Sequence, residues 1–258
     1  MSLVGKAARA VRRLRNGSVD AWESFWLSMH RAERDAIIAD AARCSTAGDW
    51  YGLAAAYFGM GSIQIQEEIV AFLDMAASRS PRFVCEIGTE YGGTNLLLLR
   101  ALPSVTHVIG IDLWVRNKAK LRLLAHDGQR LDYITGASQN PARRDRVARL
   151  LDGQPLDLLL IDGDHSFEGV RTDFLLYRHL VREGGIVAFH DIVPDGSERG
   201  LDTGAYAGGV PRFWRLMKKL YPAQEFVRDW DQQFGLGIGA ITYSSDVKVG
   251  LKELSDEF

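Results

Sequence analysis

Asp162, His165, His190 and Asp191 are the residues of this 258-residue chain best equipped for acid–base and metal chemistry. They stand in two short runs, Asp162-Gly163-Asp164-His165 and His190-Asp191, each directly after an apolar stretch. Carboxylates at neighbouring strand ends can hold a hard divalent cation that polarises a hydroxyl, while a nearby imidazole takes the proton. Asp162 and Asp191 are the acids of such a site, and His190 beside them would soften it enough to admit Mn or Fe as well as Mg. Asp164 reads as a cap for the helix that begins near Ser166 and is left out of the chemistry.

Two further runs suggest a ligand. Glu86-Ile87-Gly88-Thr89-Glu90-Tyr91-Gly92-Gly93-Thr94 leads from an apolar strand pattern into a helical one, and Ile109-Gly110-Ile111-Asp112 ends a second strand in an acid. Glycines in a strand-to-helix turn let backbone approach a cofactor, and an acid at the end of the second strand can accept both hydroxyls of an adenosine ribose. Glu90 occupies the second glycine position of the dinucleotide fingerprint, where its charge would repel a pyrophosphate, and the turn lacks the lysine of a P-loop. A cationic sulfonium cofactor, S-adenosylmethionine, suits the acidic Glu86. The helix start at Gly92 and Gly93 would receive its carboxylate, and Leu113 or Trp114 would pack on the adenine.

These groups need a scaffold that brings strand ends together. Short apolar runs at 83–87, 107–112, 131–135, 156–162 and 185–191 alternate with helical patterns at 95–101, 142–151 and 167–181. Strand alternating with helix predicts a doubly wound α/β domain built on a mostly parallel sheet. The first and fourth strands then flank the topological switch with the fifth beside them, so Gly88, Asp162, His165, His190 and Asp191 converge on one crevice. Residues 192–209, rich in Gly, Asp and Ser and containing Tyr206, read as a long loop able to close over a substrate. A helix over 210–220 and two strands, 224–229 and 236–243, complete the domain, the second strand weakened by Gly235, Gly237 and Gly239. Residues 1–80 read as an N-terminal helical extension and 81–258 as the cofactor-binding domain; the stripe Trp22, Phe25, Trp26 and Met29 is read as core.

Composition narrows the partners. The chain is 47% hydrophobic and 25% charged, as in ordinary globular proteins, and its 31 basic against 33 acidic residues provide no field for nucleic acid. The basic cluster Arg143, Arg144, Arg146 and Arg149 reads as a solvated face. No run approaches the roughly 18 apolar residues of a membrane span. Cys44 and Cys85 lack metal-ligand spacing and suit a reducing cytoplasm. Residues 1–16, with five cations and no acid, form a basic amphipathic pattern, read first as a solvated leading helix.

The runs at 86–94, 161–170 (Ile-Asp-Gly-Asp-His-Ser-Phe-Glu-Gly-Val), 184–191 (Gly-Gly-Ile-Val-Ala-Phe-His-Asp) and 209–214 (Gly-Val-Pro-Arg-Phe-Trp) together resemble class I S-adenosylmethionine-dependent methyltransferases of the macrocin O-methyltransferase and cephalosporin-hydroxylase-like group. The resemblance implies a seven-stranded sheet with an antiparallel last strand and cofactor contacts at Glu86, Gly88, Thr89, Gly92, Gly93 and Asp112, with Ser138 near the adenine. It also implies Mg held at Asp162, His190 and Asp191, where His190 replaces a carboxylate of the metal-dependent members, and a base at His165, three residues after the metal acid. The expected activity is methyl transfer to a hydroxyl of a small molecule, a sugar unit of a glycoside, glycolipid or oligosaccharide. A hydroxylase and a non-catalytic cofactor-binding subunit are the alternatives, and a homo-oligomer is compatible with each.

Overall fold

The computed structural model describes residues 21–59, 64–197 and 200–247, so the basic pattern at 1–16 lies outside the described residues. After helical residues 21–29 come α1 (Arg31–Ala41), α2 (Ala47–Tyr57) and α3 (Gln66–Ala77). The α/β alternation follows: β1 (Phe83–Ile87), α4 (Gly93–Arg100), β2 (His107–Asp112), α5 (Lys118–Leu124), β3 (Arg130–Thr135), α6 (Pro141–Leu151), β4 (Leu156–Ile161), α7 (Phe167–Tyr177) and β5 (Val181–His190). The chain ends in α8 (Val210–Leu220), β6 (Ala223–Phe226) and β7 (Ile238–Thr242). The seven strands form one sheet in the order β3-β2-β1-β4-β5-β7-β6. Strands β1 to β5 pair in parallel, and β7 runs antiparallel to both of its neighbours.

Alternation along the strands sends successive side chains to two separate cores. Val84, Val108, Leu158, Leu160 and Ile186 join Trp50, Leu53, Phe58, Ile69 and Phe72 of the N-terminal helices and Leu96 to Leu99 of α4. Cys85, Ile109, Leu159, Val187 and Phe189 face the other way, onto α6, α7 and α8, where Phe174, Phe213 and Trp214 are fully buried. Helices before residue 80 thus supply much of the cover for one face of the sheet.

Four local expectations are corrected. Trp22, Phe25 and Met29 are not core: they are 61%, 54% and 66% exposed. The helix instead turns Leu27 inward, stacks Trp26 on His30, and lets Glu23 accept the backbone N–H groups of Asn117 and Ala119. Strand β5 starts at Val181, four residues before Gly185, because Val181 pairs with Leu156 ahead of a register break. Strand β6 stops at Phe226, and Asp229 caps a turn by accepting from the backbone of Asp231 and Gln232. Strand β7 begins only at Ile238, since Gly235, Leu236 and Gly237 all have left-handed φ. Within β7, Gly239 is required by packing, because a Cβ there would lie 2.6 Å from the Trp214 ring. Among the described residues no helix is long and apolar enough to cross a membrane.

Candidate active site

Parallel strands open their carboxyl ends onto one edge of the sheet, and a cleft of about 900 Å³ lies there. It is lined by Gly88, Thr89, Asp112, Leu113 and Ser138 at one end and by Asp162, His165, His190 and Asp191 at the other.

Gly88 joins the two ends. It leaves β1 with φ +91°, donates its N–H to the Ile111 carbonyl at 2.8 Å, and abuts the end of β4 so closely that a Cβ would fall 1.7 Å from the Asp162 carbonyl oxygen. Its bare backbone therefore sets where Asp162 stands. The turn beyond it closes through Gly92 N–H on the Thr89 carbonyl at 2.7 Å. Asp112 holds this turn, with one carboxylate oxygen accepting from Glu90 N at 2.8 Å and the other from Trp114 N at 2.7 Å. Each oxygen keeps a lone pair with which to accept a further donor from the cleft. Of the two candidate adenine neighbours, Leu113 lines the cleft; Trp114 does not, and the Arg116 guanidinium lies over its ring.

Glu86, Gly92 and Gly93 are absent from the lining. Both glycines are buried at the start of α4, and Glu86 points from β1 into the α4 side of the sheet, fully buried, with one oxygen accepting from Asn95 at 3.0 Å and the other unpaired. Burial pushes this carboxyl up to about 8 against the Asn95 hydrogen bond. The unfolded chain then releases its proton near pH 4.5 while the folded chain keeps it until about pH 8, so stability is lost across that window and levels off above it. Glu86→Gln should lack this slope and melt increasingly above the wild type from pH 5 to pH 8; parallel melting curves would contradict the burial argument.

Ser138 sits in a loop held from below by α7. The Tyr177 hydroxyl donates to the Ser138 carbonyl at 3.0 Å, and Gln139, which also lines the cleft, donates to the buried Asp173 at 3.4 Å. Burial pushes Asp173 up to about 7. No pattern around residue 173 distinguishes this acid from a surface helix position, and sequence reasoning missed it.

At the other end the four polar side chains meet on shared oxygens. His165 Nε2 lies 3.5 Å from Asp162 Oδ1 and 3.4 Å from Asp191 Oδ2, and His190 Nδ1 lies 3.3 and 3.2 Å from the same two atoms. Asp191 has a left-handed φ of +62°, and its other oxygen accepts from Leu236 N at 2.9 Å. Such backbone strain in a non-glycine residue persists only where surrounding contacts enforce it. The His165 Nδ1–H donates to the Tyr206 carbonyl at 2.9 Å, which turns Nε2 toward the carboxylates. His190 is buried, and its Nε2 has no hydrogen-bond partner.

The charges sustain one another. Burial opposes ionisation of both imidazoles, yet hydrogen bonds and charges from Asp162 and Asp191 raise His190 well above its ordinary value and push His165 up to about 9. Burial likewise opposes the Asp162 carboxylate, but the two histidines hold it below the usual carboxylate range. Ligand atoms of Asp162, His165 and Asp191 lie within 4.8 Å of one another, a donor set of hard oxygens and one imidazole that fits a divalent cation of the Mg or Mn type.

Loop 192–209 supplies Thr203, Gly204, Ala205 and Tyr206 to the cleft wall, joined by Phe234 and Leu236. Phe234 and Leu236 were not recognised from sequence: Phe234 lies in the irregular stretch between β6 and β7, and Leu236 reads as the start of the last strand, which its left-handed φ keeps it out of.

The comparisons agree with this architecture. Residues 85–192 match the model of a family described as a methyltransferase domain. The fold is the Rossmann-like methyltransferase fold. An O-methyltransferase from Bacillus cereus in complex with S-adenosylhomocysteine superposes with a TM-score of 0.55 at 19% identity, covering 78% of this chain and 92% of that one. The O-methyltransferase TomG of Streptomyces achromogenes, involved in tomaymycin synthesis and bound to S-adenosylmethionine, gives 0.55 at 20% identity with the same coverage, 78% and 92%. MycE from the mycinamycin biosynthetic pathway, in complex with Mg, S-adenosylhomocysteine and mycinamycin VI, gives 0.51 at 16% identity over 81% of this chain and 57% of that one. Among curated proteins, the uncharacterized protein R132 of Acanthamoeba polyphaga mimivirus is 33% identical over 41% of this chain and 49% of its own length. A transmembrane O-methyltransferase homolog of Rattus norvegicus is 26% identical over 56% of this chain and 52% of its own. The chain spans about half the length of these two relatives.

Proposed function

We infer that the protein is an S-adenosylmethionine-dependent O-methyltransferase of small molecules. The observation that carries this reading is the single cleft in which the Gly88–Asp112–Ser138 end and the Asp162–His165–His190–Asp191 end face one another. S-adenosylmethionine would supply an electrophilic methyl group on a cationic sulfur. Asp112 would accept the ribose hydroxyls, Leu113 and Ser138 would flank the adenine, and Gly88 and Thr89 would bring backbone against the rest of the cofactor. Glu86, Gly92 and Gly93 would act from beneath, by fixing the turn. Residues 81–258 then form the cofactor-binding unit, and 1–80 a helical extension that helps to cover it.

A divalent cation held by Asp162, His190 and Asp191 would cancel the two carboxylate charges, acidify the acceptor hydroxyl and return His165 to its neutral form. His190, the more buried imidazole, suits a permanent ligand. His165, whose side chain is 22% exposed against 4% for His190, borders the cleft and would take the hydroxyl proton on Nε2. His165 Nε2 also converges with ligand atoms of Asp162 and Asp191, so metal binding by His165→Ala distinguishes a base from a ligand.

The acceptor is proposed to be a neutral polyol, a sugar unit of a glycoside, glycolipid or oligosaccharide, as in the macrocin-like group. Among the described residues no Lys or Arg lines the cleft, which disfavours acceptors bearing phosphate or carboxylate. The exposed Tyr206 ring, stacked on His165 with centroids 5.6 Å apart, offers a face on which a pyranose can lie. Both cysteines are free, in keeping with a reducing cytoplasm. Incubation with labelled S-adenosylmethionine, Mg and a panel of glycosides, phenols and amino-acid derivatives tests the substrate class. Label in glycosides is expected; label in phenols alone would overturn the sugar assignment.

Asp112→Ala should weaken cofactor binding by about 1.5 to 3 kcal/mol, the range for hydrogen bonds to a charged group. Calorimetric titration with S-adenosylhomocysteine measures this, and an unchanged affinity would move the ribose elsewhere.

A further inference from the structure

We propose that Asp195 is a positioning residue that pins loop 192–209 so that the Tyr206 carbonyl holds His165 in working orientation. The inference rests on the reading of His165 as a cleft residue of the methyltransferase site. Asp195 is buried although it stands in a Gly- and Ser-rich loop. One of its carboxylate oxygens accepts from the Ser197 N–H at 2.9 Å and the Ser197 hydroxyl at 2.6 Å. The other accepts from Ala207 N at 2.9 Å and Gly208 N at 3.3 Å, and its backbone carbonyl accepts from the Thr203 hydroxyl at 2.6 Å. One side chain thus ties the first turn of the loop to its last, a ring closed across the segment that carries Tyr206.

Everything downstream of that ring bears on His165. Gly209 N donates to the His165 carbonyl at 2.7 Å, and a Cβ on Gly208 would lie 2.5 Å from that same oxygen. The Tyr206 carbonyl takes the His165 Nδ1–H, and its ring stacks on the imidazole at an interplanar angle of 14°. His165 is therefore clasped at its backbone, its ring nitrogen and its ring face by residues 206–209, and Asp195 fixes those residues by accepting from the N–H groups of Ala207 and Gly208. The four donors on its carboxylate also hold Asp195 down to about 2 despite its burial, as expected of a fully engaged anion. An asparagine of the same size loses part of this ring in either orientation, because its NH₂ group would face the N–H groups of Ala207 and Gly208 or, turned round, the N–H of Ser197.

The test uses the whole 258-residue chain labelled with 15N-histidine, with the His165 signals assigned by comparison with His165→Asn. In the wild type, the His165 Nδ1–H should exchange slowly with water. In Asp195→Asn, exchange should be at least about ten-fold faster and methyl transfer about 10- to 100-fold slower, the scale on which a site histidine responds when the groups that orient it are loosened. Affinity for S-adenosylhomocysteine should stay within about two-fold in the same variant. Unchanged exchange and turnover in Asp195→Asn would overturn the proposal, as would a loss of thermal stability alone. If that variant does not fold, Thr203→Val and Ser197→Ala each remove one hydroxyl from the same ring. Both should shift exchange in the same direction by less, and no shift in either would overturn the proposal. Failure of the wild type to bind S-adenosylhomocysteine would instead remove the methyltransferase reading, and the exchange measurement would still judge Asp195.

Discussion

His165→Ala is expected to lower methyl transfer by about 100- to 10,000-fold, the usual contribution of a positioned general base. Cofactor affinity should hardly change, because His165 stands at the carboxylate end of the cleft and Asp112 at the other. The informative comparison is with Mn binding, followed by electron paramagnetic resonance. Asp162→Ala and His190→Ala should each weaken Mn binding by at least about ten-fold, the scale on which metal sites respond even to the loss of a supporting partner. His165→Ala should leave it nearly intact. If His165→Ala loses Mn as severely as Asp162→Ala, then His165 is a ligand and the proton must go elsewhere. Full activity of the wild type after chelation would make the carboxylates substrate-positioning groups only.

Gly88→Ala should be the most damaging glycine-to-alanine change among the described residues. The added carbon would lie 1.7 Å from the Asp162 carbonyl, a backbone atom of β4 that cannot rotate away. Overpacking of this kind costs about 1 to 3 kcal/mol, and the left-handed φ of +91° adds about 1 to 2 kcal/mol. A loss of about 2 to 5 kcal/mol in stability is therefore expected, together with the loss of turnover that follows when a catalytic group is displaced by about 1 Å. Gly153→Ala is the control, since Gly153 has φ +81° but no atom within 4 Å of the added Cβ. It should show the conformational cost alone. Equal melting temperatures for the two variants would mean that β4 yields easily and that Gly88 does not set the position of Asp162.

Much of this arrangement was legible in the sequence because a parallel sheet covered on both faces imposes continuous apolar runs. Strands β1 and β2 fall where those runs stand, and β4 ends within one residue of its expected limit. Topology then made the functional argument, since polar residues just beyond such strands must gather at one edge. Asp112, Asp162, His165, His190 and Asp191 do so.

What remained hidden depends on contacts distant in sequence. Glu68, on α3, is buried because it accepts from the backbone of Arg228 and Gly237, more than 150 residues away, and nothing in Gln-Glu-Glu-Ile announces this. Asp195 looks like any turn acid until its oxygens are seen to join Ser197 to Ala207 and Gly208. Loop 192–209, which from composition could have been an unstructured crossover, owes its shape around residue 195 to that side chain. The stripe of Trp22, Phe25 and Met29 illustrates the reverse error, because helical spacing identifies a shared face but not which face turns inward.

Calorimetric titration of the folded wild-type protein with S-adenosylhomocysteine tests the central claim most directly, because the methyltransferase reading depends on a cofactor seated between Gly88, Asp112 and Ser138. Saturable binding at one site per chain is the predicted result. An absence of binding at millimolar ligand, in protein that melts cooperatively, would contradict the account.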